Sequence, residues 1–283
     1  MPSSPAASGA AGPATPAAGA PAPALAPDVA AAWDALHRTF DRIFVVTVER
    51  AVERQERVRA RLAGLDYRFH QGMDKRLLDP ARLAAEGYDA AADRRAARHS
   101  KPMSQGQIAC AVSHLQVYRA AVENGWQRVL VFEDDVVPRG PDLALLPEAL
   151  RQLPEDWELA YLGWSNFERV TLRHRAKQAA YLVGASLRLM KWTPAQILRF
   201  HPRPFSEHLR AAGLHHCTHA YAFTLGAARK LVEAQRPLAR NADQLLIHMV
   251  LSGKLRAFVT VPKFFDQEDG TGADAAYSFV FHD

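Results

Sequence analysis

The stretch from Arg128 to Pro138 reads RVLVFEDDVVP and constrains the fold more than any other part of the chain. Val129, Leu130, Val131 and Phe132 form an unbroken apolar run rich in β-branched and aromatic side chains. Such a run marks a strand buried on both faces of a sheet. It stops abruptly at Glu133, Asp134 and Asp135. Three adjacent carboxylates at a buried strand end repel one another, and desolvation penalises each. A divalent cation offsets both effects, because hard cations take carboxylate oxygens. Strand ends of open α/β sheets are also where ligands bind. The alternative is an acidic turn with its charges in water.

Elsewhere the composition sets limits. At 283 residues and 48% hydrophobic, the chain has enough apolar material for a sizeable core. Its formal net charge of +5 is modest and dispersed, so no nucleic-acid partner is expected. That charge suits small anionic ligands or an acidic membrane surface. Cys110 and Cys217 are the only two cysteines, which excludes a disulfide framework and fits a reducing compartment. No apolar run approaches the ~20 residues of a bilayer span.

Residues 1–30 are almost wholly Ala, Pro, Gly and Ser, with prolines at 2, 5, 13, 16, 21, 23 and 27. This predicts a disordered tail ahead of a single domain over 31–283. The tail lacks the basic start and continuous apolar core of a signal peptide. A short helix is expected from Val29 through Leu36. Arg42 to Val48 reads as an interior strand. Residues 49–65 read as a helix that Gly64 would cap, and Tyr67 to His70 as a second strand, giving a β-α-β opening. Residues 74–101 are polar and basic, either a phosphate-meeting loop or a solvated connection.

Ser104 and Gln107 have capping-box spacing, so a helix is expected from there to Gly125. After the acidic strand end, a helix is expected over Leu143 to Leu153, with Pro147 as a break. Glu158 to Gly163 reads as a strand, residues 169–177 as irregular, and Tyr181 to Arg188 as another strand. Residues 191–210 suit a loop or lid. His215-His-Cys-Thr-His219 has zinc-ligand residue types, but its spacing matches no standard finger and favours entry to a strand over Ala220 to Leu225. A helix from Gly226 to Gln235 follows, then one opening at Asn241-Ala-Asp243, then a strand at Phe258 to Val261. The end, from Phe264 onward, reads as irregular.

In order along roughly residues 42–267, these segments resemble glycosyltransferase family 25. This is the lipooligosaccharide galactosyltransferase-type family that includes procollagen galactosyltransferases. Val45-Val-Thr-Val-Glu-Arg50 with Arg54 resembles the family's opening strand, although Thr47 and Glu49 replace the usual Asn and Asp. Ser104-Gln-Gly-Gln-Ile-Ala-Cys-Ala-Val-Ser-His114 is similar to its helix, and Val131-Phe-Glu-Asp-Asp-Val136 to its acidic strand end. Leu159 to Gly163, Thr218-His-Ala-Tyr221 and Ala242-Asp-Gln244 resemble later blocks.

The resemblance implies a GT-A-like α/β fold, a Rossmann-type mixed sheet flanked by helices. It also implies a nucleotide-sugar donor, with UDP-galactose expected, and a saccharide or glycolipid acceptor. In that frame the acidic cluster holds Mn²⁺ or Mg²⁺, with Asp135 as the main ligand and Glu133 or Asp134 assisting. An inverting displacement needs a base for the acceptor hydroxyl, and Asp243 or Glu133 is the candidate. Thr47, Arg50, Arg54, Ser113, His114, Asp134, His219, Tyr221 and Gln244 are expected to contact substrate. A peripheral protein on the cytoplasmic face of a bacterial membrane fits the basic charge. Two other readings remain open. One is a metal-dependent phosphoryl-transfer enzyme. The other is a non-catalytic nucleotide-sugar-binding family member.

Overall fold

The structure, a computed structural model, describes residues 25–97 and 101–268. Residues 1–24 of the expected tail and the end of the chain from 269 lie outside the described residues. The chain opens with helix α1 (Pro27–Thr39), which starts two residues before the expected Val29, then β1 (Arg42–Thr47), α2 (Val52–Arg61) and β2 (Arg68–Gln71). Helix α2 ends before Gly64, which takes φ +83° in the turn beyond it. Two short helices follow, α3 (Pro80–Ala85) and α4 (Ala90–Ala97), where the sequence suggested a loop or a solvated connection. Asp79 supplies a side-chain cap to the first of them.

Helix α5 (Gln105–Asn124) carries the expected capping box at Ser104 and Gln107, and it ends on Gly125 in the left-handed region. It leads into β3 (Arg128–Glu133) and β4 (Val136–Pro138). Pro147 sits in the first turn of α6 (Leu146–Arg151), where proline is tolerated, and a 3₁₀ helix over Gly140–Leu145 leads into it, so the expected helix divides just ahead of that proline. Strand β5 (Leu159–Ser165) follows.

Residues 169–188 are the clearest correction. They form helix α7 (Leu172–Ser186), not an irregular stretch and a strand. Thr171 and His174 form a capping box that starts the helix. Tyr181, Leu182 and Ala185 then pack at helical spacing on Ile197, Phe200, Ile247 and Leu251. The stretch expected as a lid contains α8 (Pro194–Ile197), β6 (Arg203–Pro204) and β7 (Leu209–Ala211). Strand β8 (His216–Thr224), α9 (Leu225–Ala234), α10 (Ala242–Leu251) and β9 (Ala257–Thr260) match the expected elements to within a few residues. Beyond them Phe265–Gln267 forms β10, which pairs antiparallel with β4 where an irregular tail was expected.

Among the described residues the main sheet has eight strands in the order β2-β1-β3-β8-β5-β9-β7-β6. β3 runs parallel to β1 and antiparallel to β8, and β5 runs antiparallel to β8 and parallel to β9. The sheet is therefore mixed and flanked by helices, as expected. β3 is buried on both faces. Val129 and Val131 enter one core with α5, α9 and α10, while Leu130 and Phe132 enter the other with α1, α2 and α6. Phe265 on β10 stacks on Trp33 and packs 4.8 Å from Phe132, which draws the end of the described chain over the β3 terminus.

Candidate functional site

The site forms where β3 runs out. Asp134 and Asp135 lie in the turn between β3 and β4. The extended geometry that would have put Glu133 and Asp135 on one face is therefore not adopted. The turn sends the three carboxylates into three different environments.

Asp134 is held by the opening strand and helix. Its carboxylate accepts a 2.7 Å hydrogen bond from Thr47 Oγ1 and another hydrogen bond from Arg54 Nη1. Burial still pushes its pKa above the usual carboxylate range, against the pull of Arg54 and Thr47. Thr47, at the end of β1, is buried and does a polar residue's work despite replacing the family's usual Asn. Glu133 accepts from Thr218 Oγ1 on β8 and has His114 Nε2 3.2 Å from its Oε1. Burial would raise its pKa, but His114 and Thr218 outweigh burial and hold it low. Behind it runs a buried chain: His114 Nδ1 sits 2.7 Å from the Tyr221 hydroxyl, and that hydroxyl 2.8 Å from Tyr118. At the other end of this chain His114 Nε2 faces Glu133 without completing a hydrogen bond of good geometry.

Asp135 is different. Its Oδ1 is buried and has no hydrogen-bond partner among the described residues, and the nearest cation is Arg54 at 4.0 Å from Oδ2. Burial, then the charge of Glu133, lifts its pKa to about 7. A buried carboxylate oxygen without a donor is costly and calls for an explanation. A hard divalent cation supplies one, so this donor set fits Mn²⁺ or Mg²⁺. Cys110, His114 and Glu133 also bring potential ligand atoms within 4.8 Å of one another. A Cys-His-carboxylate set suits softer metals. Burial and the charge of Glu133 keep the metal-free Cys110 thiol well above its usual pKa.

A cleft of about 150 Å³ opens over these groups. The structure brings Thr47, Arg50, Arg54, Ser113, His114, Glu133, Asp134 and Asp135 to it. Arg50 Nε is paired with Asp74 at 2.5 Å, and Ser113 Oγ donates to the Ala109 carbonyl and accepts from the Met73 amide. Ser113 is thus placed to hold the Met73–Lys75 segment against α5. His219 and Tyr221 are not brought to the cleft. Tyr221 is fully buried behind His114, and the His219 ring sits against the Phe265 carbonyl in the space left beside Gly163. Gln244 lines a separate cavity. Asp243 lies in the first turn of α10 behind its cap Asn241 and outside the cleft lining. Its charge nonetheless adds to burial in raising the Tyr161, Cys110 and Tyr118 pKa values.

The sequence reading missed Asp74, Lys75 and Thr218. The first two lie in a stretch with no periodic signal. Thr218 reaches Glu133 only because β8 is the antiparallel neighbour of β3. His215, part of the zinc-like run, is a buried core histidine packed edge-on against Trp164, with burial lowering its pKa to about 4.

The model of a family described as glycosyltransferase family 25 (LPS biosynthesis protein) matches residues 40–246. A Bos taurus protein named probable inactive glycosyltransferase 25 family member 3 is 26% identical over 71% of this chain and 30% of its own length. The human protein named inactive glycosyltransferase 25 family member 3 is 29% identical over 71% of this chain and 30% of its own length. Mouse procollagen galactosyltransferase 2 is 28% identical over 44% of this chain and 21% of its own length. The chain thus spans less than a third of the length of these relatives.

Asp135→Asn tests the electrostatics of the turn directly. Because the folded pKa of Asp135 is raised, its charge costs stability as pH rises through about 7. Without metal, the variant should melt higher than wild type at pH 8, by on the order of 5–10 °C, by less at pH 5, and by little at pH 4, near the carboxylate's ordinary pKa. Wild-type Mn²⁺ affinity should fall about tenfold from pH 8 to pH 6 as the proton competes. Thermal melts and Mn²⁺ titrations at the named pH values check both; a variant that melts lower at pH 8 contradicts the account.

Proposed function

The chain belongs to glycosyltransferase family 25. On that premise we propose that it is a metal-dependent transferase that moves a hexose from a nucleotide sugar to a saccharide acceptor. The observation that carries this reading is the partnerless buried Oδ1 of Asp135 in an acidic turn, facing a cleft that Arg50, Arg54 and Lys75 also line. A bound Mn²⁺ or Mg²⁺ would neutralise the charge that builds on a departing nucleoside diphosphate.

The protein's own residues divide the remaining work. Thr47 and Arg54 fix Asp134, His114 and Thr218 fix Glu133, and Asp135 is left to face the ligand. Arg50 and Lys75 lie where they would meet the diphosphate oxygens. For an inverting displacement, the Asp243 carboxylate is the group proposed to take the acceptor hydroxyl proton. Glu133, already engaged by Thr218 and His114, is less suited to that role. The names of the procollagen galactosyltransferase relatives support galactose as the hexose, and UDP-galactose is the donor this reading proposes. The family's description supports a lipopolysaccharide-type acceptor.

A non-catalytic binding protein is the second reading, favoured by the relatives named inactive. Against it, Thr47 still holds Asp134 although the usual Asn is missing.

Peripheral contact with an anionic bilayer, on the cytoplasmic side, belongs to the same proposal. Among the described residues no helix is long and apolar enough to cross a membrane. From Arg169 to Ser206, however, the chain has eight Lys or Arg residues and no Asp or Glu. Leu172, Val183, Leu187 and Leu189 are exposed in that same segment. Exposed apolar groups among cations suit an anionic lipid surface. Sedimentation with phosphatidylglycerol vesicles, but not with phosphatidylcholine vesicles, is expected, and Leu187→Ser with Leu189→Ser should weaken it severalfold. Equal binding to both lipids would remove this part of the proposal.

The transferase reading is tested by release of UDP from UDP-galactose and other UDP-hexoses, with and without Mn²⁺. One donor should turn over only with metal, and Asp135→Ala should lower the rate at least a hundredfold while the fold is retained. Saturable Mn²⁺–UDP binding without turnover of any donor would favour the non-catalytic reading.

A further inference from the structure

A second and larger cavity, of about 560 Å³, lies on the other side of the α5 N-terminus from the acidic cleft. Its size falls within the ~300–1,000 Å³ of small-molecule sites. Met103 and Gln107 at the start of α5 line it, whereas Gly106, Ala109 and Cys110 of the same helix line the acidic cleft. One end of α5 therefore separates the two spaces. Gln244 lines the larger cavity, and its neighbour Asp243 acts by charge on Cys110, across the same helix end.

The electrostatics of this cavity are opposite to those of the cleft. Arg95, Lys101, Lys191 and Arg240 line it, against a single acid, Asp93. Asp93 is buried and already engaged, accepting from the Tyr88 hydroxyl at 2.9 Å and the Met103 amide at 3.0 Å. Arg95 faces Asp89 at 3.9 Å. Lys101, Lys191 and Arg240 make no ion pair among the described residues. Arg240 is half-buried, and burial lowers its pKa. A half-buried guanidinium without a carboxylate partner is an incomplete arrangement that an anion completes.

We propose that this cavity binds the acceptor saccharide through an anionic substituent, a phosphate or a carboxylate, held by Arg240, Lys101 and Lys191. The inference rests on the transferase reading for the word acceptor, and on the cavity alone for the anion. Donor and acceptor would then lie on either side of the N-terminal end of α5, which contributes residues to both spaces.

The test uses the full chain and two probes for the cavity, glucose 6-phosphate and glucuronate, with glucose as the neutral control. Trp192 lines the cavity and reports binding by fluorescence, its share identified with Trp192→Phe. At least one charged sugar should bind saturably and glucose should not; which one binds separates phosphate from carboxylate. Arg240→Gln should weaken that binding at least tenfold. Lys191→Gln, at an exposed position, should weaken it severalfold without endangering the fold. Calorimetry of UDP with Mn²⁺ runs in parallel and should give the same affinity in both variants within twofold. The proposal is overturned if neither charged sugar binds, or if both variants bind as wild type does. It is also overturned if the variants lose Mn²⁺–UDP, because the cavity would then serve the donor diphosphate. Charged-sugar binding lost in the variants, together with no Mn²⁺–UDP binding in wild type, would uphold the anion site and sink the transferase reading.

Discussion

The structure depends on what happens to three carboxylates that a fully apolar strand delivers to the edge of the core. β3 is buried on both faces, so its end cannot simply dissolve into solvent. Thr47 and Arg54 hold Asp134, and His114 and Thr218 hold Glu133. Each of those partners comes from a different element: β1, α2, α5 and β8. The acidic turn is thus the point at which the opening β-α-β unit, the long helix and the antiparallel neighbour of β3 converge. Asp135 is left with an uncompensated oxygen, and burial beside Glu133 lifts its pKa. A site that engages two carboxylates and leaves the third without a donor suits a cation or a proton.

The N-terminal half of α5 organises the space around that turn. Its capping box and buried apolar face fix its position, and it exposes residues to two cavities of opposite character. The acidic cleft combines carboxylates with Arg50 and Lys75, and the proposed metal and diphosphate rest on that combination. The larger cavity is basic and suits an anion without a metal. Asp243, at the start of α10, acts electrostatically on residues near the helix end that separates them.

Much of this was legible in the sequence, for identifiable reasons. The β3 run, the β1-α2-β2 opening and the α5 capping box are local signals, and tertiary packing reinforces each of them. Residues 169–188 misled because Tyr181, Leu182 and Val183 look strand-like alone, while the packing of Tyr181, Leu182 and Ala185 on Ile197 and Phe200 selects a helix. Phe265–Gln267 has no local signal; it becomes a strand because β4 offers an edge and Trp33 and Phe132 offer a pocket for Phe265. In the site, the acids and the basic helix residues could be named from the sequence. Thr218 could not, because only the strand order brings it in, and Lys75 stood out only as one of many residues in the basic stretch 74–101. His219 and Tyr221 lie in a block resembling the family's, yet they face the interior, since resemblance fixes a position along the chain and not the direction of a side chain.

The central claim is that the turn after β3 holds a divalent cation through Asp135. X-ray diffraction at the manganese absorption edge, on crystals soaked with Mn²⁺ and UDP, tests it most directly. The account predicts an anomalous peak in direct contact with Asp135 Oδ1 and with the UDP diphosphate. A peak bound instead by Cys110 and His114, or no peak in the cleft at saturating Mn²⁺ and UDP, would contradict it.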